Sequence, residues 1–304
     1  MMVGMAMFEI NLIGRRVDPE MQWIQQQSKE LNLMAKLRKY FPGSVIYTSM
    51  DLSREVVEKL KPLMQPVDLG IILGSSAQRV LLLGEDHGQQ RAKRFAVDLL
   101  EPLRDQGFTH IGIEWLGSEY ASFLNCLCRS SSGWGKLRDL LLDYRRVGFM
   151  AQSGEENLSF LDTAYRLGFT VIPINITHSM DKVDSRLFTS EQDITYRDIW
   201  MAKMINLGLR EPSLLARGRE SRMAVMVGAG HLDQNLSLPN VLRGEYGIES
   251  SSIFYATEGA AVERPMMIPL NEETIKQIPM YSPINGYHVH GKYPYPANWI
   301  IFIP

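Results

Sequence analysis

Two short segments of this 304-residue chain place chemistry-bearing side chains directly behind apolar runs. One is Val80-Leu81-Leu82-Leu83-Gly84-Glu85-Asp86-His87-Gly88. The other is Ala224-Val225-Met226-Val227-Gly228-Ala229-Gly230-His231-Leu232. In each, the run ends at a glycine and a histidine follows three residues later. Ile113-Glu114 closes a third run with a glutamate, and Asn175, Thr177 and His178 follow a fourth. Carboxylates and imidazoles gathered in one place can share a proton or ligate a divalent metal. A carboxylate beside a histidine fixes its tautomer and raises its basicity. The candidate catalytic residues are therefore Glu85, His87, Glu114 and His231, and the candidate metal ligands are His87, Glu114 and His231.

These residues must be positioned by strands. Continuous apolar runs, as opposed to alternating ones, mark strands buried on both faces of a parallel sheet. Ligands of such sheets sit at the carboxyl ends of the strands. The runs at 80–84, 110–114, 170–174 and 223–228 are read as such strands. Between the first two, Ala92, Phe95, Ala96, Leu99, Leu100 and Leu103 recur at helical spacing, and Gly107 can stop the helix. Strand, helix, strand in so short a stretch is a βαβ unit with a right-handed crossover. Further helices are expected over 155–167 and 196–209, and a strand over 70–73 before the turn at Gly74-Ser75-Ser76. Ahead of this core, 19–40 reads as a helix, 44–50 as a short strand, and a second helix runs through about Leu60. Residues 116–153 read as a helical cap over the sheet edge. Beyond Gly244, Pro265, Pro269, Pro279, Pro283, Pro294 and Pro296, with Tyr281, Tyr287, Tyr293 and Tyr295, suggest irregular structure or short edge strands.

The expected fold is α/β, with a mainly parallel central sheet flanked by helices. It has an N-terminal helical lead-in (1–66), a catalytic or binding core (67–243) and an irregular, Pro/Tyr-rich C-terminal extension (244–304). Composition is compatible: 45% hydrophobic and 22% charged residues allow a sizeable core, and a net charge of −2 argues against nucleic acid as the main partner. Two cysteines, Cys126 and Cys128, make no disulfide framework. No run of eighteen apolar residues occurs, and Met1–Met7 lacks the basic flank of a secretory signal. A cytoplasmic location is expected, with export by a signal-independent route left open.

Gly84-Glu85-Asp86-His87 resembles the first motif of the superfamily that joins erythromycin esterases, the TIKI and TraB/PrgY proteins and the ChaN haem-uptake proteins. Ile113-Glu114 is similar to its second motif. Arg197-Asp198 with Met201-Ala202 resembles its arginine-bearing helix, and Gly228-Ala229-Gly230-His231-Leu232 its closing motif. The four stand in family order over about residues 67–235. Asn175 stands where the pattern leads one to expect an acidic residue. The resemblance implies a carboxylate–histidine cleft and adds Arg197 to the candidate catalytic residues, with a structural salt bridge as its alternative role. Family activities diverge among lactone hydrolysis, metal-dependent proteolysis and haem binding.

The first functional expectation is a hydrolase of ester or amide bonds acting on a small-molecule or peptide substrate. His87 activates water, directly or on a divalent metal, and Glu85 orients His87. Glu114 is the second acid/base or a metal ligand, and His231 polarises the carbonyl or completes a metal site. Alternatives are a ChaN-type protein that binds haem or another small ligand, and a secreted effector that uses the fold to bind a partner. Rival sites are weaker. His288-Val289-His290 can hold a metal but lies in the Pro/Tyr-rich tail. Gly228-x-Gly230 lacks the third glycine of a dinucleotide fingerprint. Cys126 or Cys128 could act as a nucleophile. The Arg91-Lys93-Arg94 cluster reads as the wet face of its helix.

Overall fold

The computed structural model describes residues 49–50, 54–74, 78–85, 89–121, 124, 154–175, 190–213, 215–216, 218–232, 237–256, 262–278, 280–281 and 297–304. All of them belong to a unit running from Ser44 to Pro304. In chain order its elements are β1 (Ser49–Met50), α1 (Arg54–Leu60), β2 (Gln65–Pro66), α2 (Leu69–Leu73), β3 (Val80–Glu85), α3 (Gln90–Asp105), β4 (His110–Gly117), α4 (Gly154–Arg166), β5 (Thr170–Asn175), α5 (Ser190–Gly208), β6 (Met223–Gly228), α6 (Leu238–Tyr246), β7 (Ser250–Ala256), β8 (Met266–Pro269), α7 (Glu272–Ile275), β9 (Met280–Tyr281) and β10 (Trp299–Phe302).

Eight strands form one sheet in the order β2-β8-β10-β7-β3-β6-β4-β5. From β10 to β5 every neighbouring pair is parallel, and β8 runs antiparallel to both β10 and β2. The fold is therefore α/β with a mainly parallel sheet. Along β3 the side chains divide between two cores. Leu81 and Leu83 pack with α3 and α4 residues such as Ala96, Leu100, Phe160 and Leu161. Val80 and Leu82 pack with residues of α1, α5 and α6, among them Val57, Ile205 and Leu242. Both faces being covered is the physical reason that the strand sequences are apolar throughout.

β3 and β4 are joined through α3 but are not neighbours, because β6 lies between them. Val80 and His110 both align with Met223. At about 4.8 Å per strand step, β3 and β4 stand roughly twice that distance apart. β4 also continues past Glu114 to Gly117, so Glu114 lies within the strand and not at its end.

One further expectation is corrected. Residues 69–73 form a single helical turn, not a strand, because the Asp68 carboxylate accepts hydrogen bonds from the N–H groups of Gly70 and Ile71 at 2.7 and 3.2 Å. The stretch beyond Gly244 contributes an interior strand, β7, seated directly against β3. Its opening serines hide it from a hydropathy reading, yet Ser251 and Ser252 are buried and hydrogen-bond to the Ile72 carbonyl and the Asn298 side chain. Residues 65–66 of the lead-in join the same sheet through β8. The helix read over 19–40 and the cap read over 116–153, apart from its first residues, lie outside the described residues. Among the described residues no helix is long and apolar enough to cross a membrane.

Candidate active site

Glu85, Glu114, Asn175 and Gly228 all stand at or near the carboxyl ends of parallel strands, on one edge of the sheet. The β4–β6 ladder ends at the Ile113–Met226 pair, and the register between β4 and β5 shifts between Ile113 and Gly117. Glu114 sits in that irregularity, and its Oε2 accepts the backbone N–H of Gly228 at 2.6 Å. A side chain thus takes over where the backbone ladder stops. Beyond Gly228 a 3₁₀ turn over Ala229–His231 folds the chain back, and Leu232 packs onto Gly84. A Cβ at residue 84 would lie 2.7 Å from Leu232 Cγ, so only glycine allows this approach. The glycine that ends the first run therefore seats the histidine of the second.

His231 is buried and held from both sides. Its Nδ1 lies 2.6 Å from Asp198 Oδ1 and its Nε2 lies 3.2 Å from Glu114 Oε1. The same Glu114 oxygen accepts Arg197 Nη2 at 2.9 Å, and Arg197 Nη2 also reaches Asn175 Oδ1 at 3.2 Å. Trp200 donates to the Asn175 carbonyl at 3.0 Å and fixes that strand end against α5. Glu114, Arg197 and His231 therefore meet at one carboxylate oxygen. Asp198 is the participant that sequence reasoning passed over. It follows Arg197 directly on α5, but its pairing with a histidine 33 positions away leaves no trace in local spacing.

The electrostatics follow from this enclosure. Burial pushes the His231 pKa down, but Glu114 and Asp198 outweigh it and hold the imidazole raised to about 10. His231 is thus held as an imidazolium at neutral pH, hydrogen-bonded through Nδ1 to Asp198 and paired through Nε2 with the Glu114 carboxylate. Burial pushes Asp198 up to about 6, and His231 opposes that rise.

Glu85 belongs to a second, adjoining cluster. Its Oε1 lies 3.4 Å from Lys93 Nζ, and both side chains are 1% exposed. Lys93 also donates to Asn157 Oδ1 at 2.9 Å. This corrects the assignment of Lys93 to a wet helix face. The signal was present: Lys93 stands three residues before Ala96 and seven before Leu100, inside the apolar stripe. Burial lowers the Lys93 pKa against the pull of Glu85. Tyr255 of β7 is also buried, and burial followed by the Glu85 charge raises its pKa.

Among the sequence-predicted residues, Glu114, Arg197 and His231 are in contact, and Glu85 shares their edge. His87 lies outside the described residues, as do His178, Asp233, Cys126, Cys128, His288 and His290. His110 lies at the opposite end of β4, buried against Thr109 Oγ1 at 2.8 Å and the Glu211 carbonyl at 3.1 Å. Among the described residues no group of three or more His, Cys, Asp or Glu side chains is placed to hold a metal ion. Both ring nitrogens of His231 face carboxylates, and both Glu114 oxygens accept hydrogen bonds, one from a guanidinium. A divalent ion at Glu114 and His231 would have to displace these partners, so the described donors fit a hydrogen-bonded network and not a metal.

No family model and no curated protein matches the sequence. Solved structures match in shape. A Bacillus cereus protein has 12% identity and a TM-score of 0.51, over 82% of this chain and 96% of that one. ChaN of Campylobacter jejuni, described with cofacially bound haem, has 11% identity and a TM-score of 0.45, over 77% and 90%. An erythromycin esterase mutant in an open conformation has 10% identity and a TM-score of 0.41, over 85% and 98%. At these identities the likeness is one of fold.

Proposed function

We propose that this sheet edge is the reaction centre of a hydrolase of ester or amide bonds. The observation that carries the proposal is a buried imidazolium, His231, clamped between Asp198 and Glu114 at the strand ends, with Arg197 on the same Glu114 oxygen. Asp198 fixes the ring through its short bond to Nδ1 and sustains its charge. The contact from Nε2 is the longer one, at 3.2 Å, and is the side that can turn to a substrate oxygen. Arg197 is 24% exposed, and its buried Nε–H has no hydrogen-bond partner among the described residues. Together these cations suit the negative charge that develops on a carbonyl oxygen under attack.

In the proposed step, water attacks the carbonyl carbon and His87 takes its proton. The carbonyl oxygen carries the charge, facing His231 and Arg197. As the C–O or C–N bond breaks, His87 returns the proton to the departing oxygen or nitrogen. Glu85 precedes His87 by two residues and orients it. The test is a panel of chromogenic esters, lactones and amides. His231→Ala is expected to lower kcat on an accepted substrate by about 10²–10⁴-fold while its circular dichroism stays native. A folded His231→Ala protein with the wild-type rate would overturn the proposal.

A further inference from the structure

Asn175 is the last residue of β5, the outermost strand on this side of the sheet. Between the Ile113–Pro173 and Gly117–Asn175 pairs, β4 spends three residues where β5 spends one. In that irregularity Glu114 and Asn175 reach the same guanidinium. Arg197 Nη2 donates to Glu114 Oε1 at 2.9 Å and to Asn175 Oδ1 at 3.2 Å, which uses both hydrogens of that nitrogen. A guanidinium is planar, so two acceptors on one nitrogen fix its plane as well as its place. Asn175 is itself held: the buried Trp200, three residues along α5 from Arg197, donates to its carbonyl at 3.0 Å.

The two acceptors differ in charge. Glu114 is a carboxylate that His231 also pairs, whereas Asn175 offers a neutral amide oxygen. Within the cluster, Glu114 and Asp198 face His231 and Arg197, so the formal charges balance. A carboxylate at position 175 would present an oxygen at the same place and leave the cluster net negative. That would oppose the negative charge that the proposed reaction puts on the substrate oxygen. We infer that Asn175 is a positioning residue of the reaction centre: it fixes Arg197 at the Glu114 oxygen with a neutral acceptor, and so leaves the guanidinium charge for the substrate. Asn175 acts through Arg197 and does not touch the reacting atoms. The inference rests on the hydrolase proposal and extends the site from β4 and α5 to the end of β5.

The experiment uses the full chain and an ester that the wild-type protein hydrolyses. Asn175→Leu keeps the branched shape and removes the acceptor. It should lower kcat by about 10²-fold, the scale of a misplaced catalytic group, with KM little changed. Asn175→Asp keeps the acceptor and adds the charge. Its Tm should stay level or rise, because Arg197 gains an ion pair, yet its kcat should fall by about 10-fold. A merely structural role would not part rate from stability in this way. Adding Asn175→Leu to Arg197→Ala should cost no further activity, since the amide works through the guanidinium. A wild-type kcat in either single variant overturns the inference, and so do losses that multiply in the double variant. If Asn175→Leu does not fold, Asn175→Ala serves, and a wild-type kcat there is equally fatal. A His231→Ala control separates the two proposals. Where it is inactive and the Asn175 variants are unimpaired, only the positioning role fails. Where it is as active as wild type, the hydrolase proposal fails and this inference falls with it.

Discussion

Asp198→Asn is the most informative single perturbation. It keeps the shape of the side chain and removes one of the two carboxylates that hold His231 charged. In the wild-type protein, burial alone would lower the imidazole, yet Glu114 and Asp198 keep it raised to about 10. A histidine raised on folding contributes stability that is complete below its unfolded value, about 6.5. That stability is lost as pH climbs to the folded value. At about 1.4 kcal/mol per unit, the interval corresponds to on the order of 5 kcal/mol. Asp198, raised by burial to about 6, is a carboxyl that folds best protonated, so it also lowers stability with rising pH, but in the window from 3.8 to about 6. Above neutrality the slope therefore belongs to His231. Urea unfolding followed from about pH 7 to 9 should show the wild-type protein losing up to about 1.4 kcal/mol per pH unit. The variant, with the imidazole closer to its ordinary value, should show a much shallower slope and a lower stability at pH 7. Groups elsewhere cancel in the comparison. Equal slopes in the two proteins would refute the clamped imidazolium.

Glu114→Gln removes the charge shared by Arg197 and His231 and leaves Asp198 alone to balance His231, so urea unfolding should show a loss of about 3–5 kcal/mol. Gly84→Ala drives a methyl into Leu232 and should lower stability by about 1–3 kcal/mol. Leu232→Ala introduced beside it should recover part of that loss, whereas Leu232→Ala alone should only destabilise. Asp68→Ala deletes the cap of α2 and should cost about 1 kcal/mol, read as a lower Tm.

The central strands were legible because burial on both faces writes an uninterrupted apolar run, and α3 because its apolar residues recur at helical spacing. The edge on which Glu85, Glu114 and His231 gather followed from strand ends alone. What the sequence did not disclose was spatial order. Nothing local in 223–228 states that this strand enters between β3 and β4, and that insertion puts a whole strand between Glu85 and Glu114. Asp198 was hidden because a helix residue meets a distant turn only once the strand order is known. β7 was hidden because three serines interrupt its hydropathy, and the hydroxyls of Ser251 and Ser252 find partners only in the folded sheet. Lys93 was legible and was missed: a charge within an apolar stripe marks a buried pair as readily as a solvated face.

The insertion of β6 also fixes when the candidate site can form during synthesis. β3 pairs only with β6 and β7, the first of which begins some 140 residues further along. At about 5–20 residues per second, roughly seven to thirty seconds separate the two strands on the ribosome. Throughout that interval β3 has two open apolar edges and β4 lacks its inner neighbour. The nascent chain is then a client for holding chaperones, and slow translation lengthens its exposure. Products that terminate before β6 carry Glu114 and Arg197 but not Gly228 or His231, so they lack the strand that closes the sheet as well as the imidazole that closes the site. Assembly of the core and of the Glu114–Arg197–His231 cluster are one event.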